Sequence, residues 1–211
     1  MSNHERLIER LSGEMQPVKP LRATRWRVIA WLALALPCGI VASFLVPRTL
    51  TNWSEPGALR ALIQSVLAFM LSLLAVGSAL NISIPGRRGV SGKVLASLAL
   101  TWLGLSLSSM PGALSEAHDP SNTRCFSFLL VVSTPMMVLI IASLRRSRAH
   151  RPLQSLAMAG LGVACLAVSL LAFCHPVHLH PADFLMHLAG VAVVVTLTVL
   201  LGRRWVKWDS R

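Results

Sequence analysis

Six long apolar runs constrain this 211-residue chain more than any other feature of its sequence. Each approaches the ~17–25 residues that a helix needs to cross a bilayer, and no Lys, Arg, Asp or Glu lies deep inside any of them. Charged residues make up only 13% of the chain, against about 25% in soluble domains. We therefore predict an all-α membrane protein, a bundle of six transmembrane helices. The runs are roughly Trp26–Val46, Ala61–Leu80, Val94–Met110, Phe126–Leu144, Leu153–Phe173 and Phe184–Leu201.

The formal net charge of +12 would suggest nucleic acid binding in a soluble protein, but here its distribution indicates membrane orientation. Of the 20 Lys and Arg residues, all but Arg48, Arg60 and Arg124 lie in the terminal segments and in the loops after the second and fourth runs. By the positive-inside rule we predict a multi-pass protein of the bacterial inner membrane with both termini in the cytoplasm. Direct nucleic acid binding is not expected.

The predicted topology divides the chain into three segments. Residues 1–25 form a cytoplasmic N-terminal segment, residues 26–202 the membrane domain and residues 203–211 a basic cytoplasmic tail. The N-terminal segment is predicted to contain a short amphipathic helix, because Leu7, Ile8 and Leu11 fall on one face and charged residues occupy the rest. A helix of about three turns is marginal in isolation. It therefore needs membrane lipid, the protein's own loops or a partner protein to cover its apolar face.

The densest chemistry lies at residues 174–187, which hold a thiol, four imidazoles and a carboxylate. His175, His178 and His180 are ligands that zinc or copper would accept, although their spacing matches no standard zinc pattern. His187 lies about one turn inside the sixth run, where a polar side chain needs a partner and a functional role is the default expectation. His187 is therefore the residue best placed to carry an event at the outer face into the bundle.

The four cysteines fall into two pairs. Cys125 begins the fourth run and Cys174 follows the fifth, so the predicted topology places both thiols at the outer face, in an oxidising compartment. A disulfide or redox-responsive dithiol, a metal site and a purely structural role all remain open for this pair. Cys38 and Cys165 lie within the apolar runs, where we expect them to be small buried hydrophobes.

The sequence does not indicate an enzyme, because it contains no paired carboxylates, nucleophile elbow, phosphate loop or His-Glu-x-x-His motif. Ion-coupled transporters place ionisable residues near the membrane midplane, and only His187, well toward one face, approaches that position. Two classes of function remain. One is a regulatory binding protein, and the other is a small membrane protein that binds zinc, copper or a redox cofactor such as haem.

Five landmarks follow one another along nearly the whole chain. They are Leu7-Ile8-x-x-Leu11, Pro17-x-x-Pro20-Leu21, Cys125, the block from Cys174 to His187, and Gly202-Arg203-Arg204 with Trp208. Together with six spans, this order resembles the NrsF-type integral-membrane anti-sigma factors. The block departs from that family in detail: His175 stands before Pro176, and Met186 before His187, where the family carries Cys-Pro and Trp-His pairs.

The resemblance implies a function and a partner. Members of that family are six-span inner-membrane proteins that hold an extracytoplasmic-function sigma factor inactive, with cysteines near the outer face implicated in stress sensing. By analogy, the apolar face of the N-terminal helix would dock on the sigma factor. Cys125 and Cys174, with His187, would sense a redox or metal stress and so release the sigma factor to RNA polymerase.

Overall fold

The protein is entirely α-helical over the residues that its computed structural model describes, namely 3–14, 21–47, 50–108, 123–147, 151–174, 177 and 180–206. The helices within these residues are α1 (Asn3–Glu14), α2 (Thr24–Ser43), α3 (Ala58–Ile82), α4 (Gly92–Ser108), α5 (Thr123–Arg146), α6 (Pro152–Leu171) and α7 (Pro181–Val206). Each predicted apolar run corresponds to one of the helices α2 to α7. The predicted all-α membrane fold is confirmed.

Five helices, α2, α3, α5, α6 and α7, are long and apolar enough to cross a bilayer. The described residues thus contain five candidate spans where six were predicted, and the remaining predicted run corresponds to a shorter apolar helix. That one is α4, with 17 residues, or about 25 Å at 1.5 Å per residue. It nevertheless runs antiparallel to α3 along most of its length. Just before α4 begins, the Val90 N–H donates to Ser78 at 2.9 Å. Where α4 ends, Arg60 donates to the Ser108 carbonyl at 3.0 Å.

Polar contacts join the helix ends on one side of the bundle, which we call the basic end. There the Thr24 hydroxyl donates to the Asn81 side-chain oxygen at 2.6 Å, and the Ser147 hydroxyl donates to Ser83 at 3.2 Å. These bonds bring together the start of α2 and the ends of α3 and α5. The basic residues at or next to the helix ends on this side include Arg25, Arg27, Arg87, Arg88, Lys93, Arg145, Arg146, Arg151, Arg203 and Arg204.

The opposite side of the bundle is named the cysteine end, after Cys125 and Cys174. Here the loop before α3 packs against the residues that follow α6. The Thr51 hydroxyl donates to the Ala172 carbonyl at 2.8 Å, and the rings of Trp53 and Phe173 lie 5.5 Å apart. The first turn of α5 and the first turn of α7 lie at the same end, because the helices alternate in direction.

Helix α6 is the centre of the bundle. Within its most apolar stretch 61% of the residues are buried, against 28% for α2 and α7, and α6 packs against α3, α5 and α7. Glycines permit its closest approaches. A Cβ at Gly160 would lie 2.9 Å from the Cα of Val195 in α7, and the Ser72 hydroxyl of α3 donates to the Gly162 carbonyl at 2.6 Å.

The two cysteines within the spans differ in their surroundings. Cys165 on α6 is 8% exposed, as expected for a small buried hydrophobe. The same expectation for Cys38 is wrong, since its side chain is exposed on α2. Cys38 lines a shallow groove between α2 and α5, beside Pro37 and Pro135, because this face of α2 points away from the bundle.

Candidate functional site

A small cavity lies among α3, α4, α6 and α7 at the cysteine end, and we call it the His187 cavity. Its volume of about 60 Å³ is enough for a few water molecules, since one water needs roughly 10–15 Å³. Gln64 and Ser65 from α3, Ser106 from α4 and His187 from α7 line it. His187 is only 5% exposed. The predicted site residue therefore lies inside the bundle, beside polar groups from two other helices.

Hydrogen bonds connect the walls of the His187 cavity. The Gln64 amide donates to the Ser106 hydroxyl at 3.5 Å, and Ser106 donates to the Trp102 carbonyl at 2.9 Å. Across the other wall, the Ser65 hydroxyl donates to the Ser169 carbonyl at 3.1 Å. Buried polar groups are costly in an apolar bundle unless they are hydrogen-bonded. These bonds therefore fix α3 relative to α4 and α6 around the imidazole.

The start of α7 positions His187. The Ala182 N–H donates to His180 Nδ1 at 3.3 Å, and the Phe184 N–H donates to the His180 carbonyl at 3.1 Å. His180 thus caps the helix, and Pro181 occupies the first helical position, where its fixed φ suits the turn. The rings of Trp102 and Phe184 stack at 6.3 Å, which holds α4 against the same turn of α7.

Cys125 lies close to a buried carboxylate. The thiol, in the first turn of α5, is 6% exposed, and Asp183, in the first turn of α7, is 3% exposed. The two groups are near enough to interact electrostatically. An ionisable side chain buried in a membrane bundle is costly and marks a functional position by default. The structure therefore adds Asp183 to the predicted site residues.

Cys174 lies just after α6, with its backbone N–H donating to the Leu171 carbonyl at 2.8 Å. Its side chain is half-buried and packs against the core that includes Cys125. All four cysteines are free thiols in the structure. Cys125, Cys174 and His187 thus lie at the same end of the bundle, while their role in sensing stays a prediction.

The predicted metal ligands are only partly within the described chain. His175 and His178 lie outside the described residues, and His180 uses its Nδ1 to cap α7. In the part of the chain that the structure describes, no three His, Cys, Asp or Glu side chains are grouped so as to hold a metal ion. Zinc or copper binding by His175, His178 and His180 stays a prediction.

The predicted docking residues lie on the exposed face of α1. Leu7, Ile8 and Leu11 are 54%, 66% and 55% exposed, although each is a large apolar side chain. An ion pair between Arg10 and Glu14 at 3.4 Å stabilises the helix by an (i, i+4) contact. Helix α1 therefore presents an apolar face that is available to a partner.

Sequence reasoning missed Gln64 and Ser106, and it treated Asp183 only as the carboxylate of the block at residues 174–187. Gln64 could have been predicted from the sequence, because a polar amide side chain within an apolar run needs a partner for the same reason as His187. Asp183 borders the last apolar run, and its burial depends on how α5 and α7 pack, which no local pattern reveals. Ser106 had no signal, since serines are common in membrane helices.

These features define the class of protein: an all-α, multi-pass membrane protein with a polar cavity near one end and a short amphipathic helix before its first span. No curated protein and no solved structure matches the chain. The sequence profile of the NrsF family, described as negative regulator of sigma F, matches residues 11–208. The chain belongs to this family. It is therefore a negative regulator of a sigma factor.

Proposed function

We propose that this protein is a membrane-bound anti-sigma factor of the bacterial inner membrane. It binds an extracytoplasmic-function sigma factor through α1, keeps it from RNA polymerase, and releases it when a redox or metal stress acts on the cysteine end. Family membership supports the regulatory part of this proposal. The exposed apolar face of α1 supports the mode of binding, and it is the observation that carries the proposal.

The case for α1 as the docking element rests on exposure and length. A 12-residue helix is marginal in water on its own, and Leu7, Ile8 and Leu11 leave more than half of each side chain exposed. Amphipathic helices of this kind bind by placing their apolar face in a groove of a partner. Leu7 and Ile8 precede the family match, which begins at Leu11, so the docking role of α1 rests on its own exposure and sequence.

The orientation of the protein in the membrane is inferred from the distribution of its positive charges. The basic end carries most of the described arginines and lysines, and the positive-inside rule assigns such an end to the cytoplasm. Helix α1 immediately precedes α2, which starts at the basic end, so this orientation puts α1 on the side of the membrane where sigma factors act. The same orientation puts Cys125 and Cys174 in the periplasm, an oxidising compartment.

Release requires two conformations with different affinities for the sigma factor. Oxidation or metal binding at Cys125 and Cys174 would change the packing between α5 and α6, and the buried His187 and Asp183 would carry the change into α7. A shift from 99% bound to 99% free needs about 5.5 kcal/mol of differential interaction. Closing a disulfide, which typically contributes about 2–4 kcal/mol, or coordinating a metal ion would supply a large part of this difference.

Co-purification tests the proposal. Tagged full-length protein from unstressed cells should retain the sigma factor, and the variant Leu7→Ala, Ile8→Ala, Leu11→Ala should lose it and raise sigma-dependent transcription. The matched control is Arg6→Ala with Glu9→Ala, which changes exposed residues of α1 outside the apolar face and should retain the partner. If the apolar variant binds the sigma factor as well as the parent does, docking through α1 is wrong. If the parent retains no sigma factor, the anti-sigma function itself is wrong.

A further inference from the structure

An open groove lies between α5 and α7 at the basic end, away from the His187 cavity. Its volume is about 640 Å³, within the ~300–1,000 Å³ of ordinary small-molecule sites. The side walls are apolar and include Val138, Ile141, Leu201 and Trp205, and the groove ends at Arg145 and Arg146. It therefore combines an apolar channel along the helices with two positive charges at the level where the helices leave the membrane.

The two arginines are available for an anion. Both are exposed and lie in the last turn of α5, and in the described part of the chain neither forms an ion pair. Their position after the apolar stretch places them at headgroup height, and Arg203 and Arg204 in the last turn of α7 add positive charge at the same end of the bundle. Guanidinium groups bind phosphate in a bidentate manner.

The apolar wall identifies the rest of the ligand. Met137 lies eight residues before Arg145, so the groove extends about 12 Å toward the middle of the bundle. Val138 is 56% and Leu201 49% exposed, and both lie within helices that cross the bilayer. Trp205, 60% exposed, has the amphipathic ring that typically sits at the membrane interface. An occupant must therefore be anionic at one end and apolar over the remainder.

We infer that this groove is a binding site for an anionic phospholipid of the leaflet at the basic end. Its phosphate binds Arg145 and Arg146, and an acyl chain lies along Val138 and Leu201 under Trp205. A soluble protein partner fits less well, because most of the groove lies within the membrane-spanning part of α5 and α7. A free phosphate would use the arginines and leave the apolar wall uncovered. The site is independent of the sensing residues at the cysteine end.

Lipid titration of the purified full-length chain in a mild detergent, read by native mass spectrometry, tests the inference. Phosphatidylglycerol should bind more tightly than phosphatidylcholine, and inorganic phosphate should not displace it. Arg145→Gln with Arg146→Gln should lower the affinity for phosphatidylglycerol about 25-fold, as the loss of ~1 kcal/mol for each arginine implies. Arg87→Gln with Arg88→Gln removes the same charge from the basic end outside the groove and should have much less effect.

A second variant addresses the apolar wall. Val138→Trp fills the channel without changing the charge, and it should also weaken phosphatidylglycerol binding. Equal affinity for the two lipids, equal losses in the two double arginine variants, displacement by inorganic phosphate, or unchanged binding in Val138→Trp would each overturn the inference. If the Arg145→Gln, Arg146→Gln variant keeps its lipid affinity but loses the sigma factor, the groove is a protein-docking surface instead.

Discussion

The contact between α3 and α6 gives the sharpest quantitative prediction, through the substitution Gly162→Ala. A Cβ at this position would lie 2.5 Å from Val76 Cγ2 and 3.1 Å from two backbone atoms, the Val76 nitrogen and the Ser72 oxygen. Carbon atoms in contact normally sit ~3.5–4.0 Å apart. Because backbone atoms cannot rotate away, α3 and α6 must separate by a few tenths of an ångström, and the Val76 side chain must also shift.

Three terms set the size of the effect. Overpacking of this kind costs about 1–3 kcal/mol. The separation also weakens the hydrogen bond from the Ser72 hydroxyl to the Gly162 carbonyl, now 2.6 Å, and such bonds between membrane helices contribute about 0.6 kcal/mol. The higher helix propensity of alanine offsets up to about 1 kcal/mol of this loss in stability. The free energy of unfolding should therefore fall by about 1–2 kcal/mol.

Thermal unfolding of the purified protein in detergent measures this loss. At about 2–4 °C per kcal/mol for a chain of this size, the melting temperature of Gly162→Ala should fall by about 2–8 °C. Gly104→Ala is the matched control, because among the described residues no atom lies within 4 Å of a Cβ at Gly104 on α4. It should leave the melting temperature unchanged or raise it. Equal melting temperatures for the two variants would refute the argument that α3 and α6 touch at Gly162.

The remaining predictions concern the cysteine end. His187→Leu should alter the stress threshold of a sigma-dependent reporter while membrane insertion stays normal, because the imidazole is buried beside polar groups; an unaltered threshold would remove His187 from the signalling path. Cys125→Ser and Cys174→Ser should each change stress-induced release, and normal induction in the double variant would end the thiol hypothesis. His178→Ala with His180→Ala should lower the metal content of the purified protein, measured by elemental analysis; a parent that contains no metal would contradict the metal hypothesis.

The fold was predictable because its main determinants are local. Helix length, apolar composition and the placement of Lys and Arg depend on neighbouring residues, so all six predicted runs are helices. The fourth helix, α4, begins two residues before the predicted run, at Gly92, and Met110, the end of that run, lies outside the described residues. The site was predictable only in part, because Asp183 and Gln64 acquire their roles from packing between helices that are distant in sequence. The exposure of Cys38 was missed for the same reason.

In the proposed mechanism, α6 is the helix that would link the cysteine end to the basic end, because it contacts neighbouring helices at both. This helix ends next to Cys174 and begins at the basic end, where its Leu156 packs against Gly202 of α7. Between these points it is bonded to α3 at Ser65 and Ser72. Close-packed helix contacts switch between discrete arrangements and do not deform continuously. Under the proposed mechanism, a change of packing at the cysteine end would move α6 as a rigid element, and its contact with α7 at the basic end would change with it.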